Sequence, residues 1–559
     1  EIRRHTIEGA AGAGMSERRD RVVYAVVGVT LLALLARVVA LGGRPFHWSE
    51  ARVGYWALRF AETGAYEYRP VAGGPLVYVL ARWTFELFGA TDATARLPVA
   101  LIGGLAPLVA LLFRGVLDDR ETVAFAGLLA LDPLLLYYSR FLRGDVLAAV
   151  AGLVVVGAAV RYHRTGDSRL LYLGAAALAA TAAASGFGFA YPVVWAVALL
   201  FAVDEARIRE TPERVRDALR GADEWILDRL PVLGRAVAVF LLVWYVLFAP
   251  RAPGLAPGLY DPTRIVTVAG AAFEGAIREF WSYRVVYRLQ PSTPGRHGLV
   301  EYAVGVIETA VATSGVTVAA GFVGFFTERY REDARRLVAF GGYATLFGLL
   351  VFALAAPEPH PWVAVHLLPF AALPGAVGVV RVGAALRSRV SPRDHGRVVL
   401  ATAVVVAGAT VGGAPVAGAY APPEPGSPFA QYAQPTDDPE EILPRIARAI
   451  EGNEGVDVLF VAPQFFTRDE YDSPPIAEID RRNFGNRFPM LWYAERVDAE
   501  VDAAFNTSYM PRDSPPVVVT TPRYAGAVGQ RLGGGYSRVR LGVGLHSKNV
   551  TVFVQNTGE

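Results

Sequence analysis

Residues Arg44–Arg69, RPFHWSEARVGYWALRFAETGAYEYR, follow directly on an apolar run, Val22–Leu41. That run is long enough to cross a bilayer as a helix and too long for a signal-peptide core. The stretch behind it has the composition of a bilayer edge, with His47, Trp48, Tyr55 and Trp56 beside Arg44, Arg52 and Arg59. Glu50 stands out among them. A charge taken out of water costs several kcal/mol unless it is paired, so a carboxylate at the mouth of a span is a functional candidate. Glu50 reads either as an ion-pair partner of Arg44 or Arg52, or as a general base or acceptor-orienting group in a partly dry site.

Composition extends this reading to the whole chain. Of 559 residues, 53% are hydrophobic and only 19% charged, and the charges fall in clusters between apolar runs. Repeated apolar runs of this length indicate a polytopic membrane protein. The net charge of +2 argues against a nucleic-acid partner. The absence of cysteine excludes disulfides, thiol catalysis and thiolate metal sites. Basic residues are nearly all arginine, Lys548 being the one lysine.

Eleven spans are expected, near 22–41, 96–113, 122–138, 146–160, 170–185, 189–203, 234–249, 303–326, 337–355, 362–380 and 397–417. Each must be helical, because lipid offers no partner to an open backbone amide. Arginine clusters lie in the segment before Val22, in Arg114–Glu121, Arg161–Arg169, Asp204–Arg235, Glu328–Arg336 and Arg381–Arg397, all on one side of such a bundle. The positive-inside rule makes that side cytoplasmic. Residues 1–21 are then a cytoplasmic N-terminus, and Met15 followed by SERRDR reads as a natural start, with 1–14 as upstream sequence. Asp204–Arg235 reads as an amphipathic helix or a solvated connector, and Phe273–Tyr287 as an interfacial helix.

Beyond the membrane domain, 22–417, the character changes. Residues 418–440 form a Pro-rich linker, and 441–559 read as a small extracytoplasmic α/β domain. Helices are expected at Glu440–Glu451 and Leu491–Phe505, and strands at Asp457–Ala462, Pro516–Thr520, Arg538–Gly542 and Val550–Val554. This tail holds 19 acidic against 13 basic residues. Asn506-Thr-Ser and Asn549-Val-Thr are glycosylation sequons. No metal-ligand spacing, Walker loop or dinucleotide fingerprint is present.

A second cluster, Tyr137-Tyr-Ser-Arg-Phe-Leu-Arg-Gly-Asp145, occupies a very short outer loop. Arg140 and Arg143 are three apart and would share one face of a helical turn. Guanidinium groups grip phosphate through a planar fork of donors, so two at lipid depth suit a lipid phosphate head. Asp145 would orient one arginine or meet the acceptor; the alternative is two snorkelling arginines neutralised by Asp145. Arg69 opens the turn RPVAGGP, and His360 sits in the outer turn PEPHPW, either facing the same cavity or solvated.

With these motifs in hand, HWSEARVGYW, RP…GGPL and YYSRFLRGDV in that order resemble the GT-C class of membrane glycosyltransferases. Within it the likeness is to the dolichyl-phosphate-mannose protein mannosyltransferase and aminoarabinose transferase branch, and most to the archaeal Agl group labelled flippase activity-associated. The resemblance covers roughly residues 20–420. It implies a multi-pass plasma-membrane enzyme that takes a sugar from a polyprenyl (dolichyl) phosphate donor and moves it, with inversion, to a glycan or protein acceptor on the outer face. On this reading the two clusters form one site. Glu50 and Asp145 are the catalytic carboxylates, and Arg140, Arg143, Arg52, Arg69 and His360 bind substrate. The family often has Asp-Glu where this chain has Ser49-Glu50. That substitution weakens the case for a divalent metal, and no cofactor is otherwise implied. The rival reading is a non-catalytic flippase or flippase-associated protein, which needs the arginines but no base. A solute transporter is a weaker third, since no inverted repeat and no charge deep in the later spans are evident.

Overall fold

A computed structural model describes residues 2–66, 73–202, 212–251, 258–277, 298–331, 333–355, 360–389, 418–420, 427–429, 434–467, 483–544 and 548–556. The chain divides into two compact units. One comprises residues 1–39, 65–77 and 98–419, the other residues 40–64, 78–97 and 420–559.

The helices are α1 (Ile2–Val38), α2 (Trp48–Thr63), α3 (Pro75–Phe88), α4 (Asp92–Leu105), α5 (Asp119–Leu131), α6 (Pro133–Ser139), α7 (Asp145–Thr165), α8 (Arg169–Ala184) and α9 (Tyr191–Ala202). They continue with α10 (Pro212–Phe248), α11 (Ile265–Ile277), α12 (Leu299–Arg329), α13 (Arg336–Ala355), α14 (Pro361–Val365) and α15 (Leu368–Arg389). Among the described residues seven helices are long and apolar enough to span a membrane, and eight if the bent pair α5–α6 counts as one. Two shorter apolar helices lie at Arg169–Ala184 and Gly186–Ala202. The protein is thus an all-α multi-pass membrane protein with a small sheet domain. The expected eleventh span, 397–417, lies outside the described residues, as do Arg69, residues 278–287 of the expected interfacial helix and 204–211 of the cytoplasmic segment. From Pro212 that segment is one helix continuous with the next span, Pro231 included.

Local chemistry sets the breaks. Asp118 and Glu121 form a capping box that starts α5. The third span is bent by 53° where α5 gives way to α6. Pro133 brings no N–H to continue the ladder, and the Asp132 side chain instead accepts from the Leu134 and Leu135 amides. Helices α12 and α15 pack closely because glycines face backbone. A Cβ at Gly324 would overlap the Pro374 carbonyl, and one at Gly378 the Ala320 carbonyl. On one side of this pack Arg335 bridges Glu121 at 2.5 Å and Glu328 at 2.7 Å.

In the second unit a five-stranded sheet runs in the order β2-β1-β3-β5-β4, with β1 Val458–Val461, β2 Val501–Ala504, β3 Val517–Thr520, β4 Tyr536–Gly544 and β5 Lys548–Gln555. The first three strands are parallel, with Val458 opposite both Val501 and Val517. Strand β5 returns antiparallel, with Thr520 opposite Thr551. Leu459, Val461, Val518 and Phe553 fill the core with Ala525 and Val528 of α18 (Ala525–Leu532). The other helices here are α16 (Leu443–Ile450) and α17 (Met490–Glu495).

Two readings of this tail change. The helix expected over Leu491–Phe505 ends at Glu495; Asp498 takes a left-handed φ of 54°, and residues 501–504 become the edge strand β2. Parallel pairing with β1 supplies the backbone partners that a helix would otherwise have provided. Helix α18, a short amphipathic segment between strands, was not expected from the sequence.

Candidate functional site

The two clusters fall in different units, and each has its own geometry. In the first unit α6 ends at Ser139, so Arg140 and Arg143 do not share a helical face. Arg140 turns back on the C-terminus of α1, where Nη1 donates to the carbonyls of Arg37 at 3.0 Å and Val39 at 2.6 Å. It satisfies carbonyls left open at a helix end. Arg37 does the same for α5, donating to Ala130 at 3.0 Å and Leu129 at 3.2 Å.

Arg143 faces a different set of partners. Its Nε donates to Asp145 Oδ2 at 2.8 Å, and its guanidinium lies 4.0 Å from the centre of the Trp362 ring. Trp362 stacks in turn on His360, centroids 4.0 Å apart. Asp145 opens α7, where a carboxylate also favours the helix dipole. Its Oδ1 meets His366 Nε2 at 3.0 Å and the Ser185 hydroxyl at 3.3 Å. The other ring nitrogen, Nδ1, lies 2.7 Å from the Tyr191 hydroxyl. With Asp145 ionised, the consistent assignment is Nε2–H donating to Asp145 and Tyr191 donating to Nδ1. All of Tyr191, His366, Asp145 and Ser185 are buried. A permanent cation is therefore backed by a chain of groups that hold and can relay a proton, on a platform of aromatic rings.

In the second unit Glu50 and Arg96 form a fully buried pair, Nε to Oε1 at 2.7 Å and Nη2 to Oε2 at 2.8 Å. Arg96 also donates to the carbonyls of Leu41, Arg44 and Pro45, so five acceptors meet its five N–H groups. Glu50 closes a capping box on α2, accepting the His47 amide at 3.1 Å. Sequence paired Glu50 with Arg44 or Arg52; the structure gives it Arg96 as a partner. Arg52 lies buried against Trp48, 5.6 Å from the ring centre. Ser49 Oγ is 2.9 Å from His47 Nδ1. Among the described residues no group of three His, Cys, Asp or Glu side chains could hold a metal ion. This donor set does not fit a divalent cation.

Next to this pair Asp92 accepts from Trp492 Nε1 at 2.9 Å, Tyr493 at 3.0 Å and Arg496 at 3.2 Å. Burial and the nearby Asp92 charge push the Tyr493 phenol well above its usual range. Phe46 stacks on Trp492 at 5.2 Å. The loop helix α2 and the C-terminal domain are thereby parts of one packed unit.

Sequence reasoning found Arg143 and Asp145 but missed Arg96, Asp92, Asp132, Tyr191 and His366. For Asp132 and His366 a signal existed, since both are ionisable residues inside expected spans; Glu308, within 303–326, corrects the reading that the later spans hold no charge. Arg96 is the first residue of the expected span 96–113, where a basic side chain does not stand out. Tyr191 carried no signal at all.

Comparison with known proteins sharpens the picture. Residues 440–555 match the family described as Agl23 flippase-associated protein C-terminal domain. No curated protein matches the chain. The fold is similar to that of ArnT from Cupriavidus metallidurans bound to undecaprenyl phosphate, with TM-score 0.56, 16% identity, and coverage of 94% of this chain and 97% of that one. It is also similar to the archaeal oligosaccharyltransferase AglB from Archaeoglobus fulgidus in complex with an inhibitory peptide and a dolichol-phosphate, with TM-score 0.52, 14% identity, and coverage of 89% and 69%. The likeness is one of fold, the GT-C-like fold expected from the sequence.

Proposed function

We propose that this protein is an inverting membrane glycosyltransferase that takes a sugar from a polyprenyl-phosphate donor and delivers it to a glycan or protein acceptor. The observation that carries this reading is Arg143, a buried guanidinium seated on Trp362 and aligned by Asp145, in a GT-C fold. In the reaction an acceptor oxygen attacks the anomeric carbon and the bond to the lipid phosphate breaks. Negative charge grows on the departing phosphate. A guanidinium already fixed in a dry site stabilises that charge more in the transition state than in the ground state. Asp145, His366 and Tyr191 serve to hold Arg143 in place. The acceptor proton passes to a general base; Glu50, the candidate from sequence, is engaged by Arg96. Arg140 acts by anchoring the end of α1, and His360 by bracing Trp362. On the positive-inside rule the arginine-rich loops favour a cytoplasmic N-terminus and an extracytoplasmic C-terminal domain, and the plasma membrane is the location we propose.

The test is transfer of radiolabelled sugar from polyprenyl-phosphate donor by purified protein in detergent. Wild type should form product, and Arg143→Ala should form little while remaining folded. Undiminished transfer in that variant overturns the site. A second reading rests on the match of residues 440–555 to a flippase-associated domain. It is favoured if the wild type transfers no sugar from any donor yet moves the lipid across reconstituted vesicles.

A further inference from the structure

The C-terminal domain holds a cavity of about 400 Å³ that the transfer reaction does not use, within the size range of small-molecule sites. It opens where open parallel sheets bind ligands, beyond the carboxyl ends of adjacent parallel strands. Past β1 the chain supplies Gln464 and Phe465; past β3 it supplies Thr521, Pro522 and Arg523. The β4–β5 hairpin adds Asn549, and a neighbouring loop adds Asn486. Asn486 is steadied by donating to the Gln464 carbonyl at 3.1 Å, and the Phe465 carbonyl by accepting from Arg487 at 2.9 Å.

One lining group is unaccounted for. Thr521 is nine-tenths buried, and its hydroxyl finds no hydrogen-bond partner among the described residues. A buried hydroxyl without a partner costs stability, and such groups are rarely left so without a reason. The other polar lining groups are three primary amides, each able to donate and accept, and one arginine at the exposed rim. The lining has no carboxylate, and its buried walls are Phe465 and Phe488. This set does not suit a cation or a strongly anionic phosphate. It suits a ring bearing several hydroxyls, each needing a donor and an acceptor, against an apolar face.

The geometry points to a saccharide-binding site at this crevice, taking one sugar residue of a glycan, with Thr521, Gln464, Asn486 and Asn549 as its polar contacts. The site is independent of the transferase reading and would serve a flippase-associated protein equally. The Asn549 sequon then marks a binding residue rather than a modification site.

The test is saturation-transfer NMR on the full-length protein in detergent with glucose, mannose, galactose, N-acetylglucosamine and glucuronate. At least one should bind saturably, and Thr521→Val and Asn549→Ala should each weaken it by roughly tenfold. Thr521→Val also separates binding from structure. It removes a hydroxyl that has no described partner, so the melting temperature should hold or rise while binding falls. The proposal fails if none of the five sugars binds. It fails equally if binding survives both variants, or if acceptor peptides bind the cavity and the sugars do not.

Discussion

Arg96 and Arg143 each meet a carboxylate at 2.7–2.8 Å, but the two sites differ in what else they contain. Around Arg96 the partners are a carboxylate and three backbone carbonyls, with Phe46 against the guanidinium face at 4.7 Å. The arrangement ties the turn Leu41–Pro45 to the start of α4. Around Arg143 the partners are side chains from other elements: Asp145, then His366 and Ser185, then Tyr191. A saturated guanidinium held mainly by backbone is a fastener. One aligned by a relay of side chains can respond to a bound group, because its supports can shift protons and hydrogen bonds.

The largest effect expected from this contrast is on stability. Arg96→Ala leaves Glu50 buried without its counter-charge and should cost about 3–5 kcal/mol. Thermal unfolding of the purified protein measures it, and the double change Arg96→Met with Glu50→Leu should recover much of the loss. If Arg96→Ala melts like the wild type, the fastener reading is wrong. Next in size is catalysis. Arg143→Ala should slow sugar transfer by about 10²–10³-fold, with a smaller drop in melting temperature than Arg96→Ala. An equal drop would erase the distinction between the pairs. Tyr191→Phe should have a milder effect, about 1 kcal/mol in stability and a several-fold slower transfer; a null result in both assays would detach Tyr191 from the relay.

The smallest expected effect is pH-dependent and belongs to the edge of the Glu50 unit. Burial and the nearby Glu495 charge push the Glu62 carboxyl up from 4.5 to about 7, against the pull of Arg59. The folded state therefore holds the proton longer than the unfolded state. Stability should fall as pH rises from about 4.5 to 7, and Glu62→Gln should flatten that slope. A melting temperature that rises over this range in the wild type contradicts the assignment.

Much of this was written in the sequence. Apolar run length made seven spans legible, and an eighth if the bent pair α5–α6 counts as one, while the runs near 170–185 and 189–203 proved to be shorter apolar helices; all strands but β2 were legible from β-branched runs between turn residues. Arg143 and Asp145 were legible because charge in a short loop between apolar runs is out of place. Other features were not. Residues 491–505 hold both a helix and an edge strand because β1 offers a parallel partner, which no local pattern announces. Asp132 ends one helix and starts the next while Ser314 and Thr317 of α12 bond it at 2.8 and 2.6 Å, from more than 180 residues away.

The sequence by itself determined a polytopic helical protein with a small soluble domain, because bilayer thickness and the β-strand period impose repeats that a single chain displays. Only the tertiary structure decided which arginine Glu50 would meet, that Arg140 would cap a helix while Arg143 joined His366, and that Thr521 would line a cavity. Those outcomes depend on which distant segments a buried polar group can reach, and burial makes the choice compulsory. A charge or hydroxyl removed from water takes the nearest partner that folding brings to it, and chain order does not record which one that will be.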